Sequence, residues 1–214
     1  MKTRDKIIQT SLELFNEHGE RAITTNHIAA NLGMSPGNLY YHFRNKQDII
    51  QSIFQLYESN LKNSFQPYEQ HEVNIELLIR YFDAMFDMLW QFRFLYANLT
   101  DILSQDEALK NRYLVAQQRL LEQASKILQQ LSKDGFLHIN DDELLPLADT
   151  MKMLISSWIG YKLAQSKTTT VTKACLYEGV LRIIMITKAY STESSLDTFT
   201  RLTKHYQQLS EATE

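Results

Sequence analysis

Residues 24–46 read TTNHIAANLGMSPGNLYYHFRNK, and this stretch decides the fold. Thr24 stands where a helix N-cap belongs, just ahead of an apolar-periodic run. Ile28, Ala29 and Leu32 give that run one buried face. Gly33 provides the tight exit, where a left-handed backbone is cheap only for glycine. Ser35 caps a second short helix, and Pro36 occupies its first position, where the missing N–H costs nothing. This second helix is predicted over about Pro36 to Phe43. It begins with small residues and carries Asn38, Tyr40, Tyr41 and His42. A narrow N-terminal end with hydrogen-bonding side chains behind it is what a recognition helix needs to reach base edges in the major groove.

In order and spacing these residues resemble the TetR family of bacterial transcriptional repressors. The resemblance is carried by Leu14, Phe15 and Gly19, then by Thr24, Ile28 and Ala29. It continues through Gly33, Ser35, Gly37, Leu39, Tyr40, His42, Phe43 and Lys46, over the first 50 residues. It implies an all-α chain of about nine or ten helices: a three-helix, helix-turn-helix DNA-binding domain in 1–50 and a helical effector-binding and dimerisation domain in 51–214. It also implies a set of DNA contacts. Thr25, Tyr41 and Lys46 are expected at phosphates and Asn38 at a base edge. Thr24, Ser35, Pro36, Gly37, Tyr40 and His42 complete the expected DNA-facing set, while Leu39 and Phe43 belong to the core. His27 departs from the pattern, which often has an acid there. An acid would favour the helix dipole; His27 loses that contribution, or approaches a phosphate instead.

Composition agrees with a helical regulator. The chain has 214 residues, six Gly and three Pro, so few turns are forced. The net charge of −3 argues against nucleic acid, but residues 1–46 hold six Lys/Arg against four Asp/Glu, a balance of +2, with −5 left for the remainder. Phosphate contact needs cations only at the docking face. One cysteine excludes an internal disulfide and suits a reducing compartment. No apolar run reaches the ~18–20 residues of a membrane span, and no secretion signal opens the chain. A cytoplasmic location is expected.

Beyond the motif, helix 1 is expected over about Thr3 to His18, with Ile7, Ile8, Ser11, Leu12, Leu14 and Phe15 facing inward. Helix 4 begins near Lys46, continues to about Gln66, and joins the two domains. A helix follows from about Val73 to Tyr96, then a short one from Asn98 to Ser104 and a longer one from Asp106 to Leu131, ended by KDG at 133–135. Three more are expected to end near Gln165, Tyr190 and Ala212.

Residues 144–164 and 174–186 are apolar around most of the helical circumference. Such helices lie at the centre of a domain or are shared with another subunit. A symmetric homodimer explains them, fits a palindromic operator, and is also what the family resemblance implies. Trp158, Ile183 and Ile186 are placed at its seam; ordinary intrachain core is the alternative. The Phe, Met and Trp residues between 82 and 96 are either core or one wall of an effector pocket. On the pocket reading Phe82, Phe86, Leu89, Trp90, Tyr113, Met151 and Ile155 line a mostly apolar space of ~300–1,000 Å³ for a small hydrophobic effector.

An enzyme is not expected. The dinucleotide and P-loop glycine patterns are missing. The histidines stand at 18, 27, 42, 71, 138 and 205 with no i, i+4 pair for a metal, so neither metal nor cofactor is expected. Cys175 in an apolar helix reads as a small hydrophobe. The expected function is a ligand-responsive repressor released from its operator by an apolar small molecule. The alternatives are a ligand-blind dimeric DNA-binding protein and an activator.

Overall fold

The computed structural model describes residues 2–68, 73–167 and 170–213. Among them are eleven α-helices: α1 (Thr3–His18), α2 (Thr25–Asn31), α3 (Pro36–His42), α4 (Lys46–Ser64), α5 (Ile75–Gln91), α6 (Arg93–Ala97), α7 (Leu99–Ser104), α8 (Glu107–Lys133), α9 (Asp141–Gln165), α10 (Lys173–Lys188) and α11 (Leu196–Glu211). A 3₁₀ turn at Glu20–Ala22 links α1 to α2. Extended pairing among the described residues is limited to an isolated bridge between Leu137 and Ser191.

Local chemistry sets most of the helix starts. The side chains of Thr24, Ser35, Asn45, Asn74, Asp106 and Thr172 each accept the backbone N–H three residues further on. Each bond satisfies one of the four amides a helix N-terminus leaves unpaired. Of the expected inner face of α1, Ile7, Ser11, Leu12 and Phe15 are buried, and Ile8 and Leu14 are partly buried at its edges.

The helix expected from Val73 to Tyr96 is instead two helices, broken at Phe92. A side chain of α1 meets the groups that the break frees. Asn16 Nδ2 donates to the Gln91 carbonyl at 2.7 Å, and the Phe94 amide donates to Asn16 Oδ1 at 3.0 Å. One side-chain amide thus satisfies a carbonyl and an N–H that the break releases. The Phe15 and Phe94 rings pack 5.3 Å apart beside it.

The helix-turn-helix packs on α1 and the first half of α4, around Ile28, Leu39, Phe43 and Ile49. α4 then runs without interruption through residue 50 into the C-terminal helices. There α8 packs against α4 and α9, and α10 against α5, α9 and α11. Gln47 and Gln51 of α4 both donate to Asp106 Oδ2, at 3.3 and 2.7 Å, so the N-cap of α8 is also tied to α4. Among the described residues no helix is long and apolar enough to cross a membrane.

Candidate nucleic-acid interface and internal cavity

The turn between α2 and α3 depends on Gly33 at φ +63°. Beyond it Ser35 Oγ accepts the Asn38 amide at 3.2 Å, and Pro36 begins α3. Leu39 and Phe43 turn inward, 0% and 2% exposed. Ser35, Pro36, Gly37, Asn38, Tyr40 and Tyr41 are left outward on one surface. Tyr41 is 85% exposed and meets its own chain mainly through an edge contact with the half-buried His42. Among the described residues the Asn38 carboxamide has no hydrogen-bond partner, and it is exposed. Tyr40 is half exposed, and its hydroxyl lies 3.0 Å from Thr25 Oγ1. That bond ties α2 to α3 at the surface.

Gly33, Ser35 and Gly37 also have the spacing of a nucleophile elbow. That motif needs a strand-to-helix turn with an exposed, activated serine. Here Ser35 sits between two helices and its hydroxyl is a cap.

Two positions have intrachain partners that the sequence did not show. His27 Nδ1 accepts the Thr24 N–H at 3.3 Å while Thr24 Oγ1 accepts the His27 amide at 3.3 Å. This closes a capping box, with an imidazole in the place where Glu or Gln usually stands. Lys46 was expected to reach a phosphate. Its ammonium instead lies 2.6 Å from Glu20 Oε1, 3.0 Å from the Glu20 carbonyl and 3.2 Å from the Ile23 carbonyl. An ammonium has three hydrogens, and three intrachain oxygens lie within 3.2 Å of the Lys46 nitrogen. Lys46 therefore clamps the turn before α2 onto the start of α4. Glu20, 5% exposed, gave no signal in the sequence, because an acid in a polar turn reads as solvated.

Arg4 is a further residue the sequence left unmarked. Its guanidinium lies 4.8 Å over the Phe43 ring and donates to Ser52 Oγ at 2.8 Å. It braces the end of α3 from the side of α1.

The C-terminal helices and α4 line a partly open cavity of about 150 Å³. Phe82, Met151 and Ile155 line it, as expected; Leu61 of α4, Phe65 just past its end, and Met85 and Met88 of α5 join them. The cavity is smaller than the expected range, and four expected wall residues lie elsewhere. Phe86 stacks on Tyr177 with centroids 4.2 Å apart. Leu89 is buried in the packing of α5. Trp90 sits under Arg93 and Lys173, 4.1 and 5.4 Å from its ring. Tyr113 packs against Phe54, 6.4 Å between centroids. Helical periodicity placed these side chains on apolar faces but not on the side that faces the void.

Two of the three residues expected at the seam are buried within their own chain. Trp158 is 7% exposed and its indole N–H donates to the Cys175 carbonyl at 2.7 Å. Ile183 is 1% exposed and lines the cavity. Both belong to the core of their own chain, and Ile186 is half-buried. The apolar side chains that α9 and α10 turn outward are others: Leu145, Met153, Tyr161 and Met185, all more than half exposed.

Comparison with known proteins agrees with this geometry. Residues 7–53 match the model of the bacterial regulatory proteins of the tetR family, and residues 56–199 match a TetR model described as bacterial transcriptional repressor. The chain belongs to the TetR family. A TetR-family transcriptional regulator from Marinobacter aquaeolei VT8 is 36% identical, with a TM-score of 0.86 over 96% of this chain and 99% of that one. The regulator AcrR of Shigella flexneri is 35% identical over 28% of each chain, and SrpR of Pseudomonas putida 27% identical over 66% of each. The chain thus spans at most two thirds of the length of these two curated relatives. Members of this TetR family are transcriptional regulators and not enzymes.

Proposed function

We propose that this regulator is a homodimeric repressor that binds a palindromic DNA operator through α3 and is released by a small apolar molecule. The observation that carries the reading is the outward surface of α3. Among the described residues the Asn38 and Tyr41 side chains make no hydrogen bond on it, while Leu39 and Phe43 fix the helix from beneath. Side chains held on a rigid element suit base reading, because the geometry is set before DNA arrives.

A two-fold protein supplies two such helices, matched to half-sites about one helical turn apart, ~34 Å. The exposed residues of α9 and α10 support that assembly. Met153, Ser157, Tyr161 and Ala164 recur at intervals of three and four along α9, with the partly buried Gly160 beside them, and Met185 is exposed on α10. A stripe of this kind offers close helix–helix packing to a second copy.

Ligand control is supported by the cavity and by α4. Leu61 and Phe65 at one end of α4 line the cavity, and Lys46 at the other end holds the helix-turn-helix. A ligand acts only through different affinities for two arrangements, typically ~1–3 kcal/mol or 5–150-fold in DNA affinity. A packed, cavity-free bundle would have favoured the ligand-blind reading.

Selection of duplexes from a random pool tests the function. Enrichment of a two-fold symmetric site is the expected result, and failure to enrich any sequence overturns operator binding. Transcription from that site with and without the protein separates repression from activation.

A further inference from the structure

One corner of the cavity is polar. Gln117, 7% exposed, lines the cavity together with Tyr96. Gln117 Nε2 donates to the Tyr57 hydroxyl at 3.2 Å, and the hydroxyls of Tyr57 and Tyr96 are 3.3 Å apart. Accounting for the hydrogens of this trio leaves a remainder. The two phenols share one hydrogen bond, so one of their two O–H hydrogens has no acceptor within the trio. Among the described residues no donor reaches Gln117 Oε1. A cavity wall that is mostly apolar, with Tyr81, Lys152, Ser156 and Thr187 as its other polar members, thus keeps one donor and one acceptor in reserve beside Gln117.

The corner holds no charge. Burial pushes both phenols above their ordinary range, so both stay neutral. Lys152 also borders the cavity, but its ammonium lies 2.9 Å from the Asp149 carboxylate. An ionic ligand would enter without a free counter-charge, at a large desolvation cost.

We propose that the cavity selects a neutral molecule of monoaromatic size that is apolar except for one hydroxyl, such as a simple phenol or alicyclic alcohol. A hydroxyl both donates and accepts. It gives its hydrogen to Gln117 Oε1 and takes the spare tyrosine hydrogen, which satisfies both groups at once. Size follows from volume: a dry apolar cavity of ~150 Å³ holds benzene, and roughly six to eight non-hydrogen atoms fit. The proposal rests on reading the cavity as the effector site.

The test is calorimetric titration of the full chain with p-cresol and with p-xylene, which differ by one hydroxyl in place of a methyl. Wild-type protein is expected to bind p-cresol about tenfold tighter, the usual scale of one well-placed hydrogen bond. Tyr96→Phe and Gln117→Leu should each bring the two affinities together by weakening p-cresol alone. Equal affinities in the wild type overturn the hydroxyl-selecting corner and leave the cavity as a binding site. Binding of neither compound overturns the effector site itself. Tighter binding of benzoate or benzylammonium than of p-cresol overturns the neutral-ligand assignment.

Discussion

The ammonium of Lys46 and the carboxylate of Glu20, 26 positions apart in the chain, meet at 2.6 Å and hold the turn before α2 against the first residue of α4. Glu20 is almost wholly buried, so it depends on this partner more than Lys46 depends on it. Removing one member of such a pair strands the other. For fully buried pairs the cost is about 3–5 kcal/mol, and it is smaller here because Lys46 is 30% exposed. Lys46→Ala and Glu20→Gln are both expected to lower stability in urea titrations. They should also weaken operator and random duplex alike without changing the salt dependence of binding. A drop in salt slope of about one unit per subunit in Lys46→Ala alone would instead show a lost phosphate contact.

Asn38 is expected to behave differently. Its side chain is outward and unpaired, so Asn38→Ala should leave stability unchanged. It should cost roughly 1–3 kcal/mol on the selected operator and nothing on random duplex, as the loss of a bidentate base contact does. Titration of both duplexes at one salt concentration decides this. An equal loss on both ends the base-reading role.

Met153 and Met185 offer a test of assembly that the buried Ile183 does not. Aspartate at Ile183 would put a charge into the core and unfold the chain. At Met153 or Met185, 62% and 57% exposed, it leaves the protomer intact. Sedimentation at micromolar concentration should show a wild-type dimer and a 25.0 kDa species for either variant. A wild-type chain sedimenting as a monomer ends the dimer proposal.

Gly179 lets α10 approach Trp158. A Cβ there would lie 2.8 Å from Trp158 Cδ1 and Nε1, and the indole cannot retreat without breaking its bond to Cys175. Gly179→Ala should therefore destabilise by about 1–3 kcal/mol, the usual cost of overpacking. This is the reverse of the gain that alanine brings to an open helix position. Denaturant midpoints give the sign directly.

Asp106 gives stability a pH dependence. Hydrogen bonds from Gln51, the Leu109 amide and Gln47 hold its carboxyl below the usual carboxylate range. A lowered folded-state pKa stabilises above the unfolded value, near ~3.9, and the benefit is lost as pH falls through the folded one. Asp106→Ala should cost about 0.5–2 kcal/mol at pH 7, as for other N-caps. The gap to wild type should close in acid below pH ~4. A gap that is constant from pH 7 to 2.5 would rule out the carboxylate as its source.

Much of this protein is decided by local sequence. Thr24, Gly33, Ser35 and Pro36 act within a few residues of themselves, so they were legible as caps and a turn, and the helix-turn-helix followed. The α1 boundaries and the Asn74, Asp106 and Thr172 caps have the same local origin. Tertiary structure decided what depends on partners distant in the chain. The break at Phe92 is bridged by Asn16, Lys46 is paired by Glu20, and the polar corner of the cavity is formed by Tyr57, Tyr96 and Gln117. Periodicity reports that a helix has an apolar face. Which residues of that face meet a void, a neighbouring helix or solvent depends on helix rotation and crossing, and these are fixed only when all the helices pack together.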